Sequence, residues 1–131
     1  MPTAEDQIVK LPFWSGPATL KPLSGGLSNQ SFIVTDDRGK YVARFGHDIA
    51  VHHVVRTREA ELSRVAAALG ISPQLHFSGN GVMIFDFIEG HTFGADDLKN
   101  NLERGIGIVK RVHTEMHHKV RGPGYLFWVF H

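Results

Sequence analysis

The sequence predicts an α+β protein in which a three-stranded antiparallel meander, a helix, a β-hairpin and a second helix follow one another. Three observations carry the prediction. Short runs with apolar and β-branched residues, ATLKPL (18–23), QSFIVTD (30–36) and YVARF (41–45), are separated by a glycine loop and by the turn signal DDRGK. The segment VVRTREAELSRVAAALG (54–70) is a helix with Ala and Leu in its second half and Gly70 placed to stop it. PQLHFSG (73–79) and VMIFDFI (82–88) flank Asn80 and Gly81, a pair suited to a tight hairpin turn. At the start, Thr3 and Asp6 cap a short helix over Ala4 to Leu11, which Pro12 ends. At the other end, ADDLKNNLERGIGIVKRVHTEMHH (95–118) repeats apolar residues at helical spacing through Leu98, Leu102, Ile106, Val109 and Met116. Gly105 and Gly107 are expected to weaken or kink the middle of that helix.

Composition narrows the function. A chain of 131 residues with 42% hydrophobic residues is one globular domain with a modest core. Lys plus Arg is 14 and Asp plus Glu 13, a formal net charge of +1, so no basic footprint for nucleic acid is present. Zero cysteines exclude disulfide and thiolate chemistry and suit a reducing compartment. The start, MPTAEDQIVKLPFW, has neither a charged n-region nor an apolar h-region, and no apolar run approaches the roughly 18 residues of a membrane span. The expectation is a cytoplasmic protein with neither nucleic-acid nor membrane partners.

The stretch PLSGGLSNQSFIV (22–34) is the first candidate for chemistry. A Walker-type loop would end in Gly-Lys-Ser/Thr and open a helix, and a dinucleotide fingerprint would also run into a helix. Here the glycines run into Phe32, Ile33 and Val34, a strand. A hairpin loop without side chains at its tip can close over phosphates and offer backbone N–H groups, although Ser24–Gly26 alone reads more readily as a plain turn. The strand YVARF adds a second clue. Alternation puts Val42 and Arg44 on one face and Tyr41, Ala43 and Phe45 on the other, and a guanidinium on a half-buried face needs an anionic partner. The helix supplies one: its apolar stripe runs through Val55, Leu62, Val65, Ala66 and Leu69, and Glu59 falls on it whereas Glu61 does not. Such a pair is also a common structural ion pair without any ligand.

Loop, basic strand residue and helix glutamate, together with LPFW, REAELSRVAAALGI and FIEG in the same order, resemble the choline/ethanolamine kinase and aminoglycoside phosphotransferase superfamily, with the choline kinase branch nearer. The resemblance covers nearly the whole chain. It implies a protein-kinase-like N-terminal lobe, with the five strands joined in one antiparallel sheet and one helix packed on it, over residues 1–90. Residues 91–131 would form a linker helix and the truncated start of a C-terminal lobe. It further implies that Ser24, Gly25, Gly26, Leu27, Ser28 and Asn29 cover the phosphates of ATP, and that Arg44, paired with Glu59, replaces the usual lysine as phosphate-binding cation. Arginine's planar fork suits that double role. Val42 would roof the adenine, the Asp86 carbonyl and the Ile88 amide would be its hinge contacts, and Phe85 would stand behind the pocket. The implied enzyme is an ATP-dependent phosphotransferase acting on the hydroxyl of choline, ethanolamine or a related amino alcohol. Its catalytic residues and magnesium ligands are expected in a lobe missing from these residues, so the chain alone is expected to be inactive. A noncatalytic interaction module that keeps the lobe's fold is the alternative, with the terminal YLFWVFH as a self-association surface.

Nine histidines raise the question of metal. His113 and His117 have the i, i+4 spacing that can chelate zinc, but no glutamate follows His113 in an H-E-x-x-H pattern. The expectation is a core His113 with exposed neighbours and no metal site. KNNLERG and DDRGK read as solvated charge runs.

Overall fold

A computed structural model of the chain describes residues 1–24 and 29–122. Helix α1 (Ala4–Val9) opens on the expected capping box, in which Thr3 Oγ1 accepts from the Asp6 N–H and the Asp6 carboxylate accepts from the Thr3 N–H. It ends two residues earlier than expected, and the Trp14 indole N–H donates back to the Ile8 carbonyl at 2.7 Å. Strands β1 (Thr19–Leu23), β2 (Gln30–Asp36) and β3 (Gly39–Phe45) form the meander. Helix α2 (Arg56–Ala68) follows, and Gly70, at φ 68°, supplies the left-handed residue beyond its end. Strands β4 (Leu75–Gly79) and β5 (Val82–Asp86) turn through Asn80 and Gly81, both at positive φ, as an Asn-Gly pair predicts.

The five strands form one antiparallel sheet in the order β1-β2-β3-β5-β4. Alternation sorts its residues cleanly. Phe32, Val34, Ala43, Val82 and Ile84 point to one face, where Ala4, Ile8 and Leu11 complete the larger core and Phe13 and Trp14 pack on its rim. Met83 and Phe85 point to the other face, where they meet Ala60 of α2 and Leu75. β5 is therefore buried on both sides, which is why VMIFD lacks any polar alternation until its last residue.

The turn DDRGK is not the solvated charge run expected of it. The Asp36 side chain is wholly enclosed and accepts from the N–H groups of Ser15 at 2.9 Å, Arg38 at 2.8 Å and Gly39 at 3.2 Å, and from the Arg38 guanidinium at 3.0 Å. Arg38 in turn donates to the Phe13 carbonyl at 2.6 Å and lies 4.7 Å over the Phe13 ring. These bonds fasten the N-terminal segment to the hairpin. The Ser15 N–H foremost, and then the Arg38 N–H and guanidinium, lower the Asp36 pKa to about 2, outweighing the opposite push of burial.

The last helical region breaks where the sequence did not suggest. α3 (Ala95–Asn100) and α4 (Leu102–Arg111) part at Asn101, whose side-chain amide donates to the Asp97 carbonyl at 2.8 Å, and α4 runs unbroken through both glycines. A π-helical stretch (Val112–Met116) and α5 (His117–Lys119) follow. Leu98, Leu102, Ile106 and Val109 keep their helical spacing but are exposed, and so is His113, which is not a core residue. The helical region is tied to α2 instead by polar contacts: Arg111 donates to the Leu69 carbonyl and Arg58 to the Arg121 carbonyl. Among the described residues no helix is long and apolar enough to cross a membrane. The terminal YLFWVFH lies outside the described residues.

Candidate functional site

The face of the sheet that carries Val42 and Arg44 is only partly covered by α2, and the uncovered part is the wall of a cleft of about 550 Å³. Ile33, Val42 and Phe85, register neighbours on β2, β3 and β5, supply its apolar wall, with Leu23 at the end of β1. The chain leaving β5 closes the opposite side with Asp86, Phe87, Ile88 and Gly90. Arg44 stands at one end, 5.9 Å over the Phe85 ring.

The strand alternation and helix phase bring Arg44 and Glu59 together: Arg44 Nη2 lies 2.7 Å from Glu59 Oε1, with the two side chains 32% and 27% exposed. The pair is thus half open to solvent rather than buried. The reason is α2's seating: its one fully enclosed residue is Ala60, and the stripe through Val55, Leu62, Val65, Ala66 and Leu69 is half-buried. Glu61 is off the sheet and pairs with Arg58 at 2.7 Å.

Arg56, which the sequence reading did not select, holds the other oxygen of the same carboxylate, Nη1 to Glu59 Oε2 at 2.6 Å. Its Nε–H donates to the His47 carbonyl at 2.9 Å and its backbone N–H to the Asp48 carboxylate at 2.8 Å. The signal was present as an i, i+3 Arg-Glu pair in RTRE, overlooked because neither alternation nor the apolar stripe pointed to it.

The other expected residues distribute as follows. Ser24 is exposed at the end of β1, and Gly25, Gly26, Leu27 and Ser28 lie outside the described residues. Asn29 is half-buried and lines a second recess of about 150 Å³ with Arg44, Gly46, Arg56 and Thr57. Val42, Asp86 and Ile88 all line the larger cleft. The Asp86 N–H is bonded to the Gln74 carbonyl at 3.1 Å, and its carboxylate contacts His76 Nε2 at 2.5 Å, so that side chain is held away as part of the sheet edge.

Residues 19–124 match the phosphotransferase enzyme family (APH), and the chain belongs to that family. The match spans the sheet, α2 and the helices after it. Among solved structures, the chain is similar to choline kinase from Cryptosporidium parvum Iowa II, with a TM-score of 0.57 and 17% identity. It is likewise similar to an ethanolamine kinase of Plasmodium vivax, with a TM-score of 0.58 and 20% identity. The matched parts cover 75% and 80% of this chain but 29% and 32% of those kinases. The likeness is one of fold, the protein-kinase-like sheet and packed helix. No curated protein sequence matches the chain significantly.

Proposed function

We propose that residues 1–90 form the ATP-binding lobe of a small-molecule kinase whose acceptor is the hydroxyl of choline, ethanolamine or a related amino alcohol, and that the helices from residue 91 lead into the rest of the catalytic machinery. The observation that carries the reading is the Arg44–Glu59 pair standing at the polar end of an apolar cleft. A flat base fits between the Val42 side of the sheet and the segment after β5, where backbone groups at Asp86 and Ile88 are the hinge contacts. A phosphate chain leaving that base meets Arg44, whose orientation Glu59 fixes. The loop from Ser24 to Asn29 covers the phosphates in this reading. ATP brings magnesium with it, and none of the described residues is assigned to hold the ion. Family membership supports phosphotransfer as the reaction class, and the two kinase likenesses support the amino-alcohol acceptor. Zero cysteines suit a cytoplasmic setting.

The test is a ligand-observed NMR titration of the 131-residue protein with ATP and adenosine. Both are expected to bind, and Arg44→Ala is expected to weaken ATP while leaving adenosine nearly unchanged. A folded protein that binds neither ligand and self-associates would overturn the reading in favour of a noncatalytic interaction module, for which the exposed apolar row on α4 is the supporting surface.

A further inference from the structure

Leu75 and Phe77 stand two residues apart on β4 yet serve opposite faces of the sheet: Leu75 belongs to the core under α2, and Phe77 packs against the core on the other side. A regular strand puts such a pair on one face. The pairing with β5 supplies the reason. Leu75 is opposite Phe85 and Phe77 is opposite Ile84, which leaves His76 as the extra residue of a β-bulge. The bulge slides His76 off the position opposite Ile84, which Phe77 takes, and toward Asp86 on the same outer face. There the His76 ring lies 5.7 Å from Tyr41 in an edge contact and 6.1 Å from Phe13. Its Nε2 is 2.5 Å from Asp86 Oδ1, with the two side chains 28% and 49% exposed. A carboxylate can only accept, so Nε2 carries the proton and donates.

Asp86 is where the sheet ends and the segment bordering the cleft begins. Phe87, Ile88 and Glu89 beyond it have no regular structure. Besides pairing with Tyr41 in the sheet, Asp86 is held from the β4 side twice, by the Gln74 carbonyl on its N–H at 3.1 Å and by His76 on its carboxylate. At the far end of the segment, the Lys40–Glu89 pair at 3.3 Å has side chains 56% and 80% exposed and adds little. We propose that His76 is a positioning residue for the nucleobase: through the Asp86 carboxylate it fixes how the chain leaves β5, and with that the Asp86 carbonyl and the Ile88 amide that meet the base. The inference rests on the nucleotide reading of the cleft, because only in that reading are those two backbone groups contacts. Asp86 then serves both faces of the sheet, its side chain anchored on the outer one and its backbone bordering the cleft. A planar base that bonds two backbone groups at once tolerates little error in their spacing, so an anchor at the root of the segment governs both bonds.

The experiment titrates the 15N-labelled 131-residue protein with adenosine and records the backbone amide resonance of Ile88 in wild type, His76→Ala, His76→Gln and Asp86→Ala, each checked for folding by circular dichroism. His76→Ala and Asp86→Ala are each expected to bind adenosine about fivefold more weakly, the loss of one charge-assisted bond, and to shift the Ile88 resonance before ligand is added. His76→Gln, whose side-chain amide can donate from the place of Nε2, is expected to stay within about twofold of wild type. A folded His76→Ala with wild-type adenosine affinity overturns the assignment. So does a His76→Gln as weak as His76→Ala, which would give the role to the packing of the ring on Tyr41 and Phe13. If His76→Ala does not fold, Asp86→Ala, which keeps the ring, decides in its place. A wild-type protein that binds neither adenosine nor ATP removes the nucleotide reading. In that case an Ile88 resonance shifted in the alanine variants and restored in His76→Gln upholds His76 as the anchor of the segment, and an unmoved one overturns it.

Discussion

Glu59 carries two bonds on one carboxylate, yet about a quarter of its side chain remains in contact with water. Its contribution should therefore fall between that of an exposed pair and a buried one. Glu59→Gln is expected to cost about 1–2 kcal/mol, since it leaves two guanidiniums facing each other in a half-desolvated site. Glu61→Gln loses an ion pair whose acid is 44% exposed and should cost under about 1 kcal/mol. Urea melts of the two variants check the difference, and equal losses would mean that Glu59 is not the shared partner. The Arg44–Glu59 contact was legible because two periodicities, 2 for the strand and 3.6 for the helix, each aim one side chain at the same space. Arg56 was not, because its position at the start of α2 is set by the turn through Ala50–His52 and by its bond to Asp48, which no periodicity encodes. Asp36 escaped for a related reason. Four charged residues in DDRGK look solvated until the N-terminal segment, recruited from 21 residues away, brings the Ser15 N–H to the carboxylate.

Between elements, the decisive contact is that of α2 with the sheet. Ala60 lies against Leu75, Met83 and Phe85, and its small side chain sets how near the helix, and with it Glu59, comes to β3. Ala60→Leu should push α2 outward, costing about 1–3 kcal/mol by overpacking and loosening Arg44 at the same time. The check is a denaturant melt paired with an ATP titration. Lost stability with unchanged ATP affinity would show that the helix carries Glu59 without setting its distance. All five strands and the end of α2 were readable from apolar runs and turn residues. The final helices were not, because Gly105 suggests a kink in isolation but sits where Leu98 crowds α4: a Cβ there would stand 2.9 Å from that side chain. The glycine serves the contact between α3 and α4, and Asn101, by bonding back to Asp97, ends α3.

At the scale of the whole molecule, acid sensitivity follows from Asp36. Its pKa is lowered to about 2 in the folded protein, against about 3.9 for an unfolded carboxylate. The stability it confers is therefore complete above the unfolded value and is lost as pH falls through the folded one, from about pH 5 down to about pH 2. Thermal melts across that range should show a fall that Asp36→Asn reduces, and an identical acid profile in the variant would place the effect elsewhere. The sheet order has a kinetic consequence. β1 to β3 pair with their neighbours in sequence, and so do β4 and β5, but β3 meets β5 only after the whole of α2 has been looped out. Local hairpins close before a joint that must first pay for a long loop, so the chain is expected to assemble as two early pieces and one late seam. Val42 and Phe85 face each other across that seam and are also walls of the cleft. The cavity thus comes into existence at the final step of folding, and a molecule lodged in it acts as a clasp on the joint that closes last and would open first.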